Sequence, residues 1–257
     1  MYRALFVTPL GERQSPINIP TEDVICDPKM CQPSSMKLTY HEGDCTDVIA
    51  EPDTWKIRTS DQCKTVLSAS HLPAEFRLKQ VHGHWGLTPD CGTEHAIDYQ
   101  HYASEVHFVF WNTTYEFDET GKYPDGLAVV AVFLTVGKYN KDYGHISSVV
   151  REAVRSQAPV AMSTNFNLTK LLPLGSDYIH YQGSLTTPPF TECVLWTLML
   201  KPIEISQKQV LRNEQHRLRW IGKRIGHVPR KPSGVTGLMF ERCRVRILED
   251  ILLYVPL

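Results

Sequence analysis

Along most of the chain, apolar and polar positions alternate in short runs separated by Gly, Pro, Asn and Asp. That is the pattern of half-buried strands. Lys37–Tyr40 and Trp55–Thr59 alternate in this way, and Phe76–Trp85 is a longer candidate strand. Glu105–Trp111 and Leu127–Val136 are rich in β-branched and aromatic residues, and Val194–Leu200 is a further apolar run. One segment changes to a helical period: Ile146–Ser156, with Val149, Val150, Ala153 and Val154 on one face. Ile205–Leu211 reads as a short second helix. Strands that follow one another with so few helices between them predict a mainly β fold. The expectation is a single domain over residues 1–257, built on a large, mostly antiparallel twisted central sheet with a few short peripheral helices.

Composition leaves this picture standing and removes others. The 257 residues are 42% hydrophobic and 21% charged, which excludes a mainly disordered or fibrous chain. No apolar run approaches the roughly 18–20 residues that span a bilayer, so no membrane span is expected. Lys and Arg number 27 against 28 Asp and Glu, for a net charge of −1. A chain so balanced is not, as a whole, a nucleic-acid binder. The segment 212–257 is locally basic and reads as a solvated surface. The seven cysteines are Cys26, Cys31, Cys45, Cys63, Cys91, Cys193 and Cys243. Five of them lie in the first 91 residues, a clustering compatible with disulfides in an oxidising compartment. Sequons at Asn112-Thr113-Thr114 and Asn167-Leu168-Thr169 point the same way.

Candidate chemistry centres on Gln80-Val81-His82-Gly83-His84-Trp85-Gly86. On a strand, side chains two apart share a face, so His82 and His84 can grip one metal ion. In Glu105-Val106-His107-Phe108-Val109-Phe110-Trp111, His107 shares a face with Glu105 and Val109. If the two strands are neighbours, three imidazoles converge, and three imidazoles with an open fourth position suit catalytic zinc. A ligating histidine usually donates its other N–H to an oxygen acceptor. Gln80 and Glu105 stand two residues before His82 and His107 and suit that part. Two histidines in one strand are, by themselves, more often surface residues. Of the other histidines, His95 reads as a buried structural hydrogen-bonder. His41, His71, His101, His145, His180, His216 and His227 read as surface residues. Gly183-Ser184-Leu185-Thr186-Thr187-Pro188-Pro189 is a rigid turn able to mount a hydroxyl near a site.

Taken together, these motifs resemble the α-class (eukaryotic-type) carbonic anhydrases. Gly11-Glu12-Arg13-Gln14-Ser15-Pro16-Ile17-Asn18-Ile19 matches the family's opening signature. The histidine strand, Gly92–His95, Glu105–Asn112, Tyr123–Val129 and Gly183–Pro189 follow in family order, so the resemblance covers Gly11 to Leu211. It implies Zn2+ held by His82, His84 and His107, and reversible hydration of CO2 to bicarbonate and a proton by a zinc-bound hydroxide. It implies that Thr186 accepts the hydroxide's hydrogen bond and passes its own proton to Glu94, and that the Thr186 N–H holds a substrate or inhibitor oxygen. A substrate pocket of Val109, Val129, Leu185, Val194, Trp196 and Thr187 follows, for CO2 or bicarbonate, in a protein expected to be a monomer.

The chain also departs from the family pattern. The aromatic residue between the first two ligands is Gly83 here, which predicts looser packing behind them. The amino-terminal aromatic segment before Gly11 is missing, and 212–257 does not align. The position after Thr-Thr-Pro-Pro, where some members place a disulfide cysteine, is Phe190. That residue and a buried free Cys193 point to the cytosol, the other cysteines to secretion, and the balance falls slightly on secretion. The segment Ile49–Trp55, where fast members carry a proton-shuttling histidine, has none. The alternatives are a catalytically silent carbonic anhydrase-related binding or matrix protein, and a zinc hydrolase of another fold. Silent relatives typically lose a zinc histidine, whereas all three stand here.

Overall fold

The strand pattern resolves into β1 (Asn18–Ile19), β2 (Lys37–Thr39), β3 (Cys45–Ala50), β4 (Trp55–Thr59), β5 (Val66–Ser68) and β6 (Phe76–Trp85). They are followed by β7 (Ala96–Ile97), β8 (Ser104–Asn112), β9 (Leu127–Val136), β10 (Val160–Ala161), β11 (Tyr178–Gly183) and β12 (Val194–Ile205). One α-helix, α1 (Lys141–Ser156), lies between β9 and β10. The structure is a computed structural model and describes residues 12–51, 54–86 and 88–210. Ten strands form one sheet in the order β10-β3-β4-β6-β8-β9-β12-β11, with β5 on β6 and β2 on β5. Every pairing in it is antiparallel except β9 with β12. The mostly antiparallel, mainly β expectation therefore holds, with one parallel seam. The small parallel pair β1–β7 lies apart from this sheet.

Alternation along the central strands splits the interior between two faces. Phe108 and Phe110 join the larger core with Trp55, Phe76, Leu78, Val81, Val130 and Val132. The helix residues Tyr143, Ile146 and Val150 belong to that core as well. On the opposite face Val109, Val129, Ala131, Phe133, Val194, Trp196 and Leu198 pack together. Nearly every residue of β8 is buried, as befits a strand covered on both faces.

Several boundaries differ from the sequence pattern for local reasons. Helix α1 begins at Lys141 rather than Ile146, because the Asn140 side chain accepts from the Tyr143 N–H and caps the first turn. It ends where Gln157 turns left-handed. Strand β12 runs to Ile205, past Leu200, through a register shift between Met199 and Ile203. Residues 207–210 are helical, within the predicted Ile205–Leu211 segment, and Leu211 lies outside the described residues.

Three histidines expected at the surface are partly or wholly covered: His71, His180 and the half-buried His101, whose Nδ1 is 3.0 Å from Thr93 Oγ1. His71 is buried, its ring held between the Tyr178 hydroxyl and Thr197 Oγ1, both at 2.8 Å. Polar neighbours in the sequence hid the pocket that β11 and β12 supply. His180 is half-buried, its Nδ1 donating to the Trp196 carbonyl. His95 is fully buried and hydrogen-bonded, as expected. Of the amino-terminal cysteines, Cys26, Cys31, Cys45 and Cys63 are free thiols and Cys91 is disulfide-bonded. Cys193 is a buried free thiol. His216, His227, Cys243 and the basic 212–257 segment lie outside the described residues.

Packing behind Gly83 is tight rather than loose. Trp55 on β4 stands opposite Gly83 on β6. A Cβ on Gly83 would come within 2.5 Å of the indole. The aromatic mass missing from β6 is supplied by its neighbour.

Candidate active site

The site is built on the two central strands β6 and β8. Their register makes His82 and His107 direct partners and places Glu105 opposite His84. The three imidazoles converge: ring centroids are 5.0 Å apart for His82–His84, 5.0 Å for His82–His107 and 4.6 Å for His84–His107. One nitrogen from each lies within 4.8 Å of the others, and His107 Nδ1 is 3.3 Å from His82 Nε2.

Glu105 sets the protonation pattern. It is fully buried, and its carboxylate accepts from the backbone N–H of Glu94 and His95, from His95 Nδ1 and from His107 Nε2, at 2.7–2.9 Å. Although burial alone opposes ionisation, the facing His95 and His107 hold the carboxyl well below its ordinary range. With its proton at Nε2, His107 presents the Nδ1 lone pair to the other two rings. Burial also pushes His82 well below its usual value and lowers His107, keeping both rings neutral. Neutral rings with aimed lone pairs are what a metal ion requires.

Glu94 approaches the same point. Its Oε2 is 3.4 Å from His84 Nε2 and 3.9 Å from His107 Nδ1, and the neighbouring Thr186 side chain favours its ionised form. Burial raises its carboxyl to about 7. Gln80 shares the face of His82 as predicted, but the predicted bond between them is not made. Gln80 Oε1 and His82 Nδ1 are each buried without a hydrogen-bond partner. A shared face brings side chains two apart within reach, yet it does not fix the carboxamide rotamer.

A cavity of about 190 Å³ opens beside the histidines. Val109, Val129, Leu185, Thr186, Thr187 and Trp196 line it together with Gln80, His82 and His107. Val194 does not. It lies on the face of Trp196 but is fully buried in the core beneath the cavity. Sequence reasoning missed four further lining residues: Lys79, Phe117, Thr120 and Leu127. Lys79 escaped because the β6–β8 register shifts between Leu78 and Gln80. The resulting bulge puts Lys79 and Gln80 on the cavity together, which strict alternation forbids.

The turn carrying Thr186 is held from below. His95 Nδ1 donates to Glu105, so its Nε2 accepts from the Tyr181 hydroxyl at 2.6 Å. Tyr181 then reaches Ser15 Oγ at 2.8 Å. Ser15 and Ser184 exchange two hydrogen bonds, and Trp196 Nε1 donates to the Ser184 carbonyl. Gln14 adds bonds to Phe190 O and Glu192 Oε1. The opening segment therefore buttresses the turn, a part that its sequence signature did not disclose.

A predominantly antiparallel sheet carrying three convergent histidines that could hold a metal ion, beside a small cavity apolar on one wall, is a scaffold of the carbonic anhydrase kind. The eukaryotic-type carbonic anhydrase family matches residues 4–231, wider than the Gly11–Leu211 span read from motifs, and the chain belongs to that family. It is 36% identical over 211 residues to "Carbonic anhydrase 3" of Homo sapiens, covering 81% of this chain and 80% of that one. Against the Sus scrofa protein of the same name, identity is 34% over 211 residues, with the same coverage. For the Equus caballus protein it is 35% over 202 residues, 78% of this chain and 76% of the other. Among the described residues, no helix is long and apolar enough to cross a membrane.

Proposed function

We propose that this chain is an active zinc carbonic anhydrase that interconverts CO2 with bicarbonate and a proton. The observation that carries the reading is the convergence of His82, His84 and His107, with His82 and His107 held neutral by burial and His107 aimed by Glu105. Three imidazole nitrogens with one open approach fit Zn2+. Bound there, zinc supplies Lewis-acid activation of water at neutral pH. The remaining work falls to side chains. Thr186 donates its proton to Glu94, so toward a nucleophilic hydroxyl it can only accept. That turns a lone pair of the nucleophile toward the carbon of CO2. Val109, Val129, Leu185 and Trp196 present apolar surface where an uncharged molecule displaces water. In this reading the Thr186 N–H holds a substrate oxygen.

The test joins metal analysis to turnover. Purified protein is expected to carry one zinc per chain and to hydrate CO2 in a stopped-flow assay. His107→Ala is expected to lose most of the metal and the activity together, with the zinc-dependent rise in melting temperature. Full zinc occupancy in His107→Ala would overturn the ligand assignment. Full occupancy in the unmutated chain without turnover would favour the silent alternative.

A further inference from the structure

The cavity carries one feature that CO2 hydration alone does not require. Among its described lining residues stands one basic side chain outside the histidines, Lys79, and no carboxylate. The β6 bulge aims Lys79 at the cavity. Its Nζ lies 4.1 Å from the centroid of the Phe117 ring, another lining residue. A cation over an aromatic face is attracted by the ring quadrupole. Phe117 is in turn set edge-on against Trp111 at 5.9 Å, and Trp111 carries Arg77 at 5.4 Å. Four side chains from β6, β8 and the turn at Phe117–Lys122 thus form a cation–aromatic ladder that starts at the cavity with Lys79 and Phe117 and runs away from it through Trp111 to Arg77. The ladder fixes where the ammonium stands, so less side-chain entropy is lost when an anion arrives. The lysine is exposed on its outer side and the wall beneath is apolar, an arrangement that focuses a positive field at the mouth.

We infer that Lys79, seated on Phe117, makes the mouth of this cavity an anion-selecting rim, favouring bicarbonate and ligands with an anionic tail over neutral ones of the same shape. The inference rests on the proposed zinc site only in that the probes anchor there. Calorimetry on the zinc-loaded protein would compare 4-carboxybenzenesulfonamide with its neutral 4-carbamoyl analogue. The carboxylate is expected to bind about two- to fivefold tighter at low salt, the range of an exposed charge pair. That preference should shrink in 0.5 M NaCl, where screening is strong. Lys79→Met should bind both probes alike, and Lys79→Arg should keep the preference. An unchanged ratio in Lys79→Met, or no preference in the unmutated chain, would overturn the inference while the neutral probe's binding upholds the site. Failure of both probes to bind would overturn the site reading and the inference with it.

Discussion

His71 illustrates what one buried residue does to the acid limb of stability. Burial lowers its pKa to about 3, and the ring of His180 at 4.7 Å adds to the effect. In the unfolded chain a histidine takes up its proton near pH 6.5. Between about pH 6.5 and 3 the unfolded state therefore binds a proton that the folded state refuses. Stability is complete above that window and falls as pH falls through it. Between pH 7.5 and 5 the loss attributable to His71 should be about 1–2 kcal/mol, below the full linkage value because the site is partly wet. His71→Gln keeps hydrogen-bonding capacity without the titration. Urea denaturation of both proteins at the two pH values should show a smaller loss in the variant. Equal losses would mean that His71 titrates normally.

Pairing between elements decides how the histidine strand is supported. Trp55 and Gly83 share one volume across β4 and β6. Gly83→Ala should cost about 1–3 kcal/mol by overpacking. Trp55→Ala should cost about 3–5 kcal/mol by leaving a cavity. Thermal and denaturant melts of the metal-free protein measure both, and a neutral Gly83→Ala would mean that the indole moves freely. The same pair marks how far the sequence could be read. Strands β4, β6 and β9 match their predicted bounds because alternation or β-branched runs are local properties. So is the shared face of His82 and His84. The filling of the space at Gly83 is not local, since it depends on which strand lies alongside. The burial of His71 by β11 and β12 and the bulge that exposes Lys79 to the cavity likewise arise from pairing. Glu105 was legible because its partner His107 is two residues away. Tyr181 and Ser15, which reach the site from either end of the chain, were not.

For the whole molecule, the proposed reaction turns on how a proton leaves. Among the described lining residues, His82 and His107 are held neutral by burial, and no other lining side chain is a histidine or a carboxylate that could relay a proton. His71 is locked elsewhere between Tyr178 and Thr197. Glu51, in the segment where a relay would stand, is paired with Lys56 at 2.9 Å. Proton export should therefore limit turnover, and imidazole buffer should raise kcat while leaving kcat/KM flat. A kcat that is high and indifferent to buffer would reveal another relay. The tie between Ser15 and Ser184 also governs when the site can exist at all. These partners are 169 residues apart. At the usual 5–20 residues per second, a ribosome takes about 8–34 s to pass from one to the other. All three histidines emerge well before Ser184 does. In a growing chain the three histidines can therefore come together early, while the turn carrying Thr186 waits for its far partner. Under the proposed function, a nascent chain could gather its histidines before its nucleophile-orienting turn is in place.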